Sequence, residues 1–224
     1  MSTAMTYPSA SDVNTKMASV YRNMFFAVLT SFAVSWYVAA TPALFNFFLT
    51  GVMTWVTIFA PLVFIFLVPV LLNAGLPWFG KHLVLHGFAA LMGLSMATVF
   101  KVYTGVSIFN AFMGAAVLFG TLSVYGYFTK TNLDSIGKYA FIALIAIIIA
   151  SVINIFVGSS VMQMVISAIA IVVFLALTAY DTKTIRDQIY DGVEDVEITG
   201  ALSLYLDFIN LFTSLLQLFG SKDD

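Results

Sequence analysis

The chain has 224 residues, of which 61% are hydrophobic and 9% charged, at a mean hydropathy of +1.01. A soluble domain carries about 25% charged residues, so this composition excludes a water-soluble fold and indicates a single-domain, polytopic membrane protein. The formal charge of −2 offers no basic face to nucleic acid, and the absence of Cys excludes disulfides, thiolate nucleophiles and Cys-based zinc sites.

Residues 1–23 are polar and rich in Ser and Thr, with Lys16 and Arg22 near the first apolar run, and they are expected to form a disordered cytoplasmic tail. A cleavable signal peptide is the competing reading, because Tyr37–Val38–Ala39–Ala40 ends that run in small residues. The long polar lead and the many later spans favour an uncleaved helix. Spanning the hydrocarbon takes about 20 apolar residues. Seven segments qualify, at about 24–40, 52–72, 83–100, 106–128, 139–157, 161–180 and 201–219. Turn chemistry separates them: Ala40–Thr41–Pro42, Asn73–Ala74–Gly75–Leu76–Pro77, Tyr103–Thr104–Gly105, Thr129–Lys130–Thr131–Asn132, Gly158–Ser159–Ser160 and an acidic stretch over 187–200. The spans must be helices, since lipid offers backbone groups no partner and the runs lack the alternation of a barrel strand. The expected organisation is a tail over 1–23, a seven-helix all-α transmembrane domain over 24–220 and a short tail over 221–224.

With the N-terminus inside, the inner segments hold Lys16, Arg22, Lys81, Lys130, Lys138, Lys183 and Arg186, and the outer ones only Lys101 and Lys222. That bias places the N-terminus in the cytoplasm and the C-terminus outside. Ala89, Gly93 and Ala97 form a small-residue stripe at four-residue spacing, suited to close helix approach. Pro61 and Pro69 are expected to kink the second span.

The last span raises the functional question. Asp207 stands in the middle of an apolar run, and Ser203, Asp207, Asn210, Ser214 and Gln217 recur at steps of four and three, so they share one helix face. A stripe of hydrogen bonds between helices is one reading. An end-to-end stripe that includes a carboxylate is better explained by an internal polar path. A buried carboxylate requires a proton, a cation or a partner. The candidate is Asp181, at the end of the sixth span in Ala179–Tyr180–Asp181–Thr182. The sixth span runs inward and the seventh outward, so both aspartates are expected toward the cytoplasmic end, with Asp207 about 9 Å deep from Ala201. Two carboxylates in one site resist double ionisation and titrate as a unit. A shared proton would tie the two helices together, and its loss would leave two charges that repel or take up a cation. Hard cations suit such oxygens, calcium above all, so Asp181 and Asp207 are also candidate metal ligands. Asp187, Asp191, Glu194, Asp195 and Glu197 follow in the connecting loop and would concentrate cations there, although a solvated loop reads equally well and no EF-hand spacing is present.

Tyr180–Asp181–Thr182 and the run Ala201–Leu202–Ser203–Leu204–Tyr205–Leu206–Asp207–Phe208–Ile209–Asn210–Leu211–Phe212 closely resemble the signature of the Bax inhibitor-1, or transmembrane BAX inhibitor motif, family. Val102–Tyr103–Thr104–Gly105, Tyr125–Gly126–Tyr127–Phe128–Thr129–Lys130 and Ile153–Asn154–Ile155–Phe156 look like its bacterial members. The resemblance runs from about residue 83 to the C-terminus. It implies seven helices with the seventh central, and a pH-sensitive calcium leak whose proton sensor maps onto Asp181 and Asp207. In some members a basic residue near the end of the second helix pairs with the aspartates. Here that helix holds no Arg, and Lys81 and Arg22 are the candidate counter-charges. Some bacterial members are linked to a membrane protease that degrades damaged proteins, which makes a membrane protein an expected partner.

Other classes fit less well. An intramembrane aspartyl protease needs Gly-x-Gly-Asp at its second carboxylate, where this chain has Leu204–Tyr205–Leu206–Asp207, and its Pro-Ala-Leu occurs only upstream at Pro42–Ala43–Leu44. A serine intramembrane protease lacks a His on a late helix, and a retinal protein would need a Lys in residues 201–219. His82 and His86 share a face, but no acid near them in sequence completes a zinc site. The expectation is a non-enzymatic, pH-sensitive calcium leak channel without a resident cofactor, moving calcium under proton control in a bilayer, most naturally a bacterial inner membrane. The alternatives are a proton-coupled cation exchanger and a regulatory protein that binds a membrane partner.

Overall fold

The computed structural model describes residues 9–223. The described chain is all-α, with helices α1 (Ala10–Ala40), α2 (Pro42–Leu49), α3 (Met53–Leu72), α4 (Trp78–Met96), α5 (Val99–Val102), α6 (Gly105–Phe128), α7 (Asp134–Val157), α8 (Ser160–Tyr190) and α9 (Val196–Phe219). Seven stretches are long and apolar enough to cross a membrane, α4 and α5 counting together as one. The sixth and seventh spans of the sequence are therefore α8 and α9. Among these spans α9 is the most enclosed: 56% of its apolar window is buried, against 44% or less elsewhere.

Five helix ends differ from the sequence expectation by five residues or more, and two of them are the starts of α4 and α7, each five residues early at Trp78 and Asp134. α1 begins at Ala10, not near residue 24, because Val13, Met17 and Val20 recur at helical spacing and are buried. The part of the expected tail over 1–8 lies outside the described residues. α8 continues past Asp181 to Tyr190, since Thr182, Ile185 and Ile189 bury one face while Lys183, Arg186 and Asp187 line another. It stops in a Schellman turn: Gly192 takes φ +72°, its N–H reaches Ile189 O at 3.2 Å, and Val193 N–H reaches Gln188 O at 3.0 Å. α9 then starts at Val196, so the connection shrinks to residues 191–195.

The described residues form two compact units, one running to Arg22 and resuming over Phe109–Gly220, the other of Asn23–Ile108 with the residues that follow from Ser221. In the second unit the expected small-residue stripe seats α1 against α4. A Cβ on Gly93 would collide with the Ser31 carbonyl, and Ser31 Oγ donates to Ala89 O at 2.7 Å. α3 runs through both prolines. Proline at 61 has no N–H for the carbonyl of Thr57, and Ser95 Oγ on α4 donates to that oxygen at 2.7 Å instead. After α9, Thr104 N–H donates to Ser221 O at 3.2 Å and Asp223 N–H to Val102 O at 3.0 Å, around an antiparallel bridge of Tyr103 with Lys222.

In the first unit α8 and α9 form an antiparallel hairpin. Gly200 on α9 lies against Ile185 on α8, where a Cβ would meet that side chain at 3.0 Å. α6 packs on α9 through edge-on rings, with Phe112 and Phe119 at 5.4 and 5.7 Å from Phe208.

Candidate functional site: an intramembrane aspartate pair

The segment carrying Asp181 is clamped from two other helices. Gly126 on α6 brings its backbone against the Ala179 carbonyl so closely that a Cβ would collide with it. Gly137 on α7 lies under the Tyr180 ring with no room for a Cβ. Thr182 Oγ1 shares a hydrogen bond of 2.9 Å with Ser123 Oγ on α6, and Ser123 shares one of 2.5 Å with Tyr21 Oη on α1. Thr182 and Ser123 are buried, so this hydroxyl chain satisfies polar groups that lipid would leave bare. Asp181 itself is half-buried.

Asp207 sits at the midpoint of α9, about 16 Å along the helix from Val196. That is deeper along its helix than the 9 Å read from the sequence, because α9 starts earlier. Asp207 is only 3% exposed, and its Oδ2 is buried without a hydrogen-bond partner among the described residues. The hairpin register is fixed at Gly200 beside Ile185 and again at Gln217 beside Gln163. Between these anchors Asp207 lies level with about Ala176, five residues and about 7.5 Å along α8 from Asp181.

The remaining residues of the expected seam separate into distinct roles. Ser203 and Asn210 are half-buried and Ser214 is buried. Asn210 Nδ2 turns back to Leu206 O at 2.8 Å within its own helix. Gln217 is exposed and bonds across to α8. Of the expected counter-charges, Arg22 is exposed and donates to Ser19 Oγ at 2.9 Å. Lys81 is half-buried on α4, in the other unit.

The five-acid loop is smaller than expected. Asp187 belongs to α8, where its carboxylate meets Lys183 Nζ and Arg186 Nη2, each at 2.7 Å. Arg186 also donates to the carbonyls of Tyr127 and Thr129, closing the C-terminal end of α6. Glu197 lies in the first turn of α9, which leaves Asp191, Glu194 and Asp195 in the connection. His86 Nδ1 lies 2.9 Å from Thr30 Oγ1, while the His82 ring packs on Trp78. Among the described residues no three His, Asp or Glu side chains converge as a metal cluster.

Two partner sets escaped the sequence reading: the Tyr21–Ser123–Thr182 hydroxyls, and Gln163 and Ser167, which meet Gln217, with Asn154 bonded to Gln163 behind them. The four-residue spacing of Gln163 and Ser167 in an otherwise apolar helix was the available signal.

A bundle with seven membrane-length helices and a carboxylate buried in its most enclosed helix defines an integral, multi-pass membrane protein. The chain belongs to the Bax inhibitor-1 family: the family model described as inhibitor of apoptosis-promoting Bax1 matches residues 13–224. The match thus takes in the first two spans, which the motifs did not reach. The chain is 35% identical over 221 residues to the inner membrane protein YbhL of Escherichia coli strain K12, covering 94% of this chain and 93% of that protein. Uncharacterised proteins of Deinococcus radiodurans and Rickettsia prowazekii are 39% and 40% identical over 142 residues, 61% of this chain and 62% and 60% of theirs.

Proposed function

We propose that this protein is a passive calcium leak pathway of the bacterial inner membrane, gated by protonation of the Asp181–Asp207 pair, with its N-terminus on the cytoplasmic side. The observation that carries the reading is the Asp207 oxygen, buried in the most enclosed helix without a hydrogen-bond partner among the described residues. A carboxylate in that position resists standing there charged and alone. A proton on the pair lets the two side chains hydrogen-bond and holds α8 to α9. Loss of the proton leaves two negative charges that part or take up a cation, and calcium is the hard cation such oxygens suit. The residues in this role bind and release ions and protons and perform no covalent chemistry. The inner membrane is supported by the Escherichia coli relative YbhL, an inner membrane protein. The orientation is supported by the Lys and Arg bias of the connections.

The test is calcium uptake into proteoliposomes with internal pH recorded. Calcium entry down its gradient without a fixed proton ratio supports the leak. Protons moving in fixed ratio to calcium make the protein an exchanger using the same aspartates. No flux under any condition leaves the pair with a structural role and favours binding of a membrane partner.

A further inference from the structure

At the end of α9 away from its first turn, about 15 Å along the helix from Asp207, neutral polar side chains from three helices close on one another. Gln217 Oε1 on α9 accepts from Gln163 Nε2 at 2.7 Å and from Ser167 Oγ at 2.9 Å, both on α8. Gln163 Oε1 accepts from Asn154 Nδ2 on α7 at 3.1 Å. Asn154 Oδ1 in turn accepts the Ser159 N–H at 3.1 Å. Asn154 and Ser167 are buried, Gln163 is half-buried and Gln217 forms the exposed lip. Each of the three amide oxygens is therefore engaged by a donor of the cluster or its turn. The cluster also sits on the stripe that carries Asp207, since Gln217 is the last member of that face.

We propose that this clasp is a second gate on the ion path, separate from the aspartates and indifferent to pH, whose amide oxygens form a transient site for a hard cation when it opens. The proposal rests on the ion-path reading above and adds a residue set to it. Amides do not titrate in the physiological range, so protonation cannot work this gate. Their carbonyl-type oxygens are the uncharged ligands that calcium accepts. With Gln163 Nε2, Ser167 Oγ, Asn154 Nδ2 and the Ser159 N–H in place, those oxygens are occupied. An ion enters only by replacing these donors. A neutral site also releases its ion more readily than a carboxylate site, which conduction requires.

The absence of Cys in the chain makes a clean test available. Gln163→Cys with Gln217→Cys removes the Gln163–Gln217, Ser167–Gln217 and Asn154–Gln163 hydrogen bonds together with two of the three amide oxygens. Loss of even one neutral hydrogen bond shifts a closed–open equilibrium roughly fivefold, so calcium flux is expected to rise by at least that factor at acidic and alkaline pH alike, with the ratio between them unchanged. Joining the two thiols with a short, reductant-cleavable bis-methanethiosulfonate then stops flux at every pH, and reductant restores it in the same vesicles. Asn154→Ala, which leaves the Gln163–Gln217 link in place, gives a smaller rise of the same pH-independent kind. A bridged protein that carries calcium as fast as its reduced form overturns the gate and leaves the aspartate reading standing. Wild-type vesicles with no flux overturn both.

Discussion

Asp207 holds the midpoint of α9 with an oxygen that makes no hydrogen bond among the described residues, so an amide of the same shape has none to lose there. Asp207→Asn is therefore expected to leave thermal stability in detergent within about 1 kcal/mol of wild type. A loss of several kcal/mol would mean the carboxylate holds a structural partner. Asp181 depends instead on neighbours without side chains. Gly126→Ala drives a Cβ into the Ala179 carbonyl, which cannot rotate away, and the cost of overpacking, about 1–3 kcal/mol, exceeds the helix propensity gained, about 1 kcal/mol. Thermal unfolding should show the loss, and an unchanged midpoint would show that α6 and α8 can part freely. Both aspartates stand out in the sequence because a charge inside an apolar run is conspicuous. The glycines that clamp Asp181 do not, because a close approach depends on which helix lies opposite, and periodicity carries no such information.

Helix ends were the least legible feature at the scale of elements. Lys183, Arg186 and Asp187 read as the start of a loop by composition, yet they are the polar face of α8 with Ile185 and Ile189 behind them. Val13, Met17 and Val20 likewise mark a buried face inside a stretch that is polar on average. Periodicity would have found both, where a search for uniformly apolar runs could not. The two prolines of α3 illustrate the opposite case: they were visible, and their consequence lay on another helix. Ser95 Oγ satisfies the carbonyl that Pro61 leaves without its usual partner. Ser95→Ala should cost about 0.5–1.5 kcal/mol. In a Pro61→Ala background, where residue 61 supplies its own N–H, the same change should cost less. Equal costs in the two backgrounds, measured by a double-mutant unfolding cycle, would sever that link.

For the whole molecule, composition and hydropathy established the membrane class and the seven spans, while the motifs around Asp181 and Asp207 pointed to the family that the full-length match shows. Phe66, Trp78, Phe128 and Phe156 are among the many large apolar side chains left exposed, a surface suited to lipid. The protein should accordingly stay with the membrane pellet through an alkaline carbonate wash, and release into the supernatant would contradict an integral protein. The central claim is that protonation of one aspartate pair sets calcium flux. An Asn at position 207 is neutral at every pH and imitates the protonated state. The most direct measurement is calcium flux in proteoliposomes between about pH 5 and pH 8, with wild type beside Asp207→Asn. The account predicts a wild-type flux that changes with pH and a variant fixed near the wild-type acid value throughout. A variant that keeps the full wild-type pH profile would contradict it.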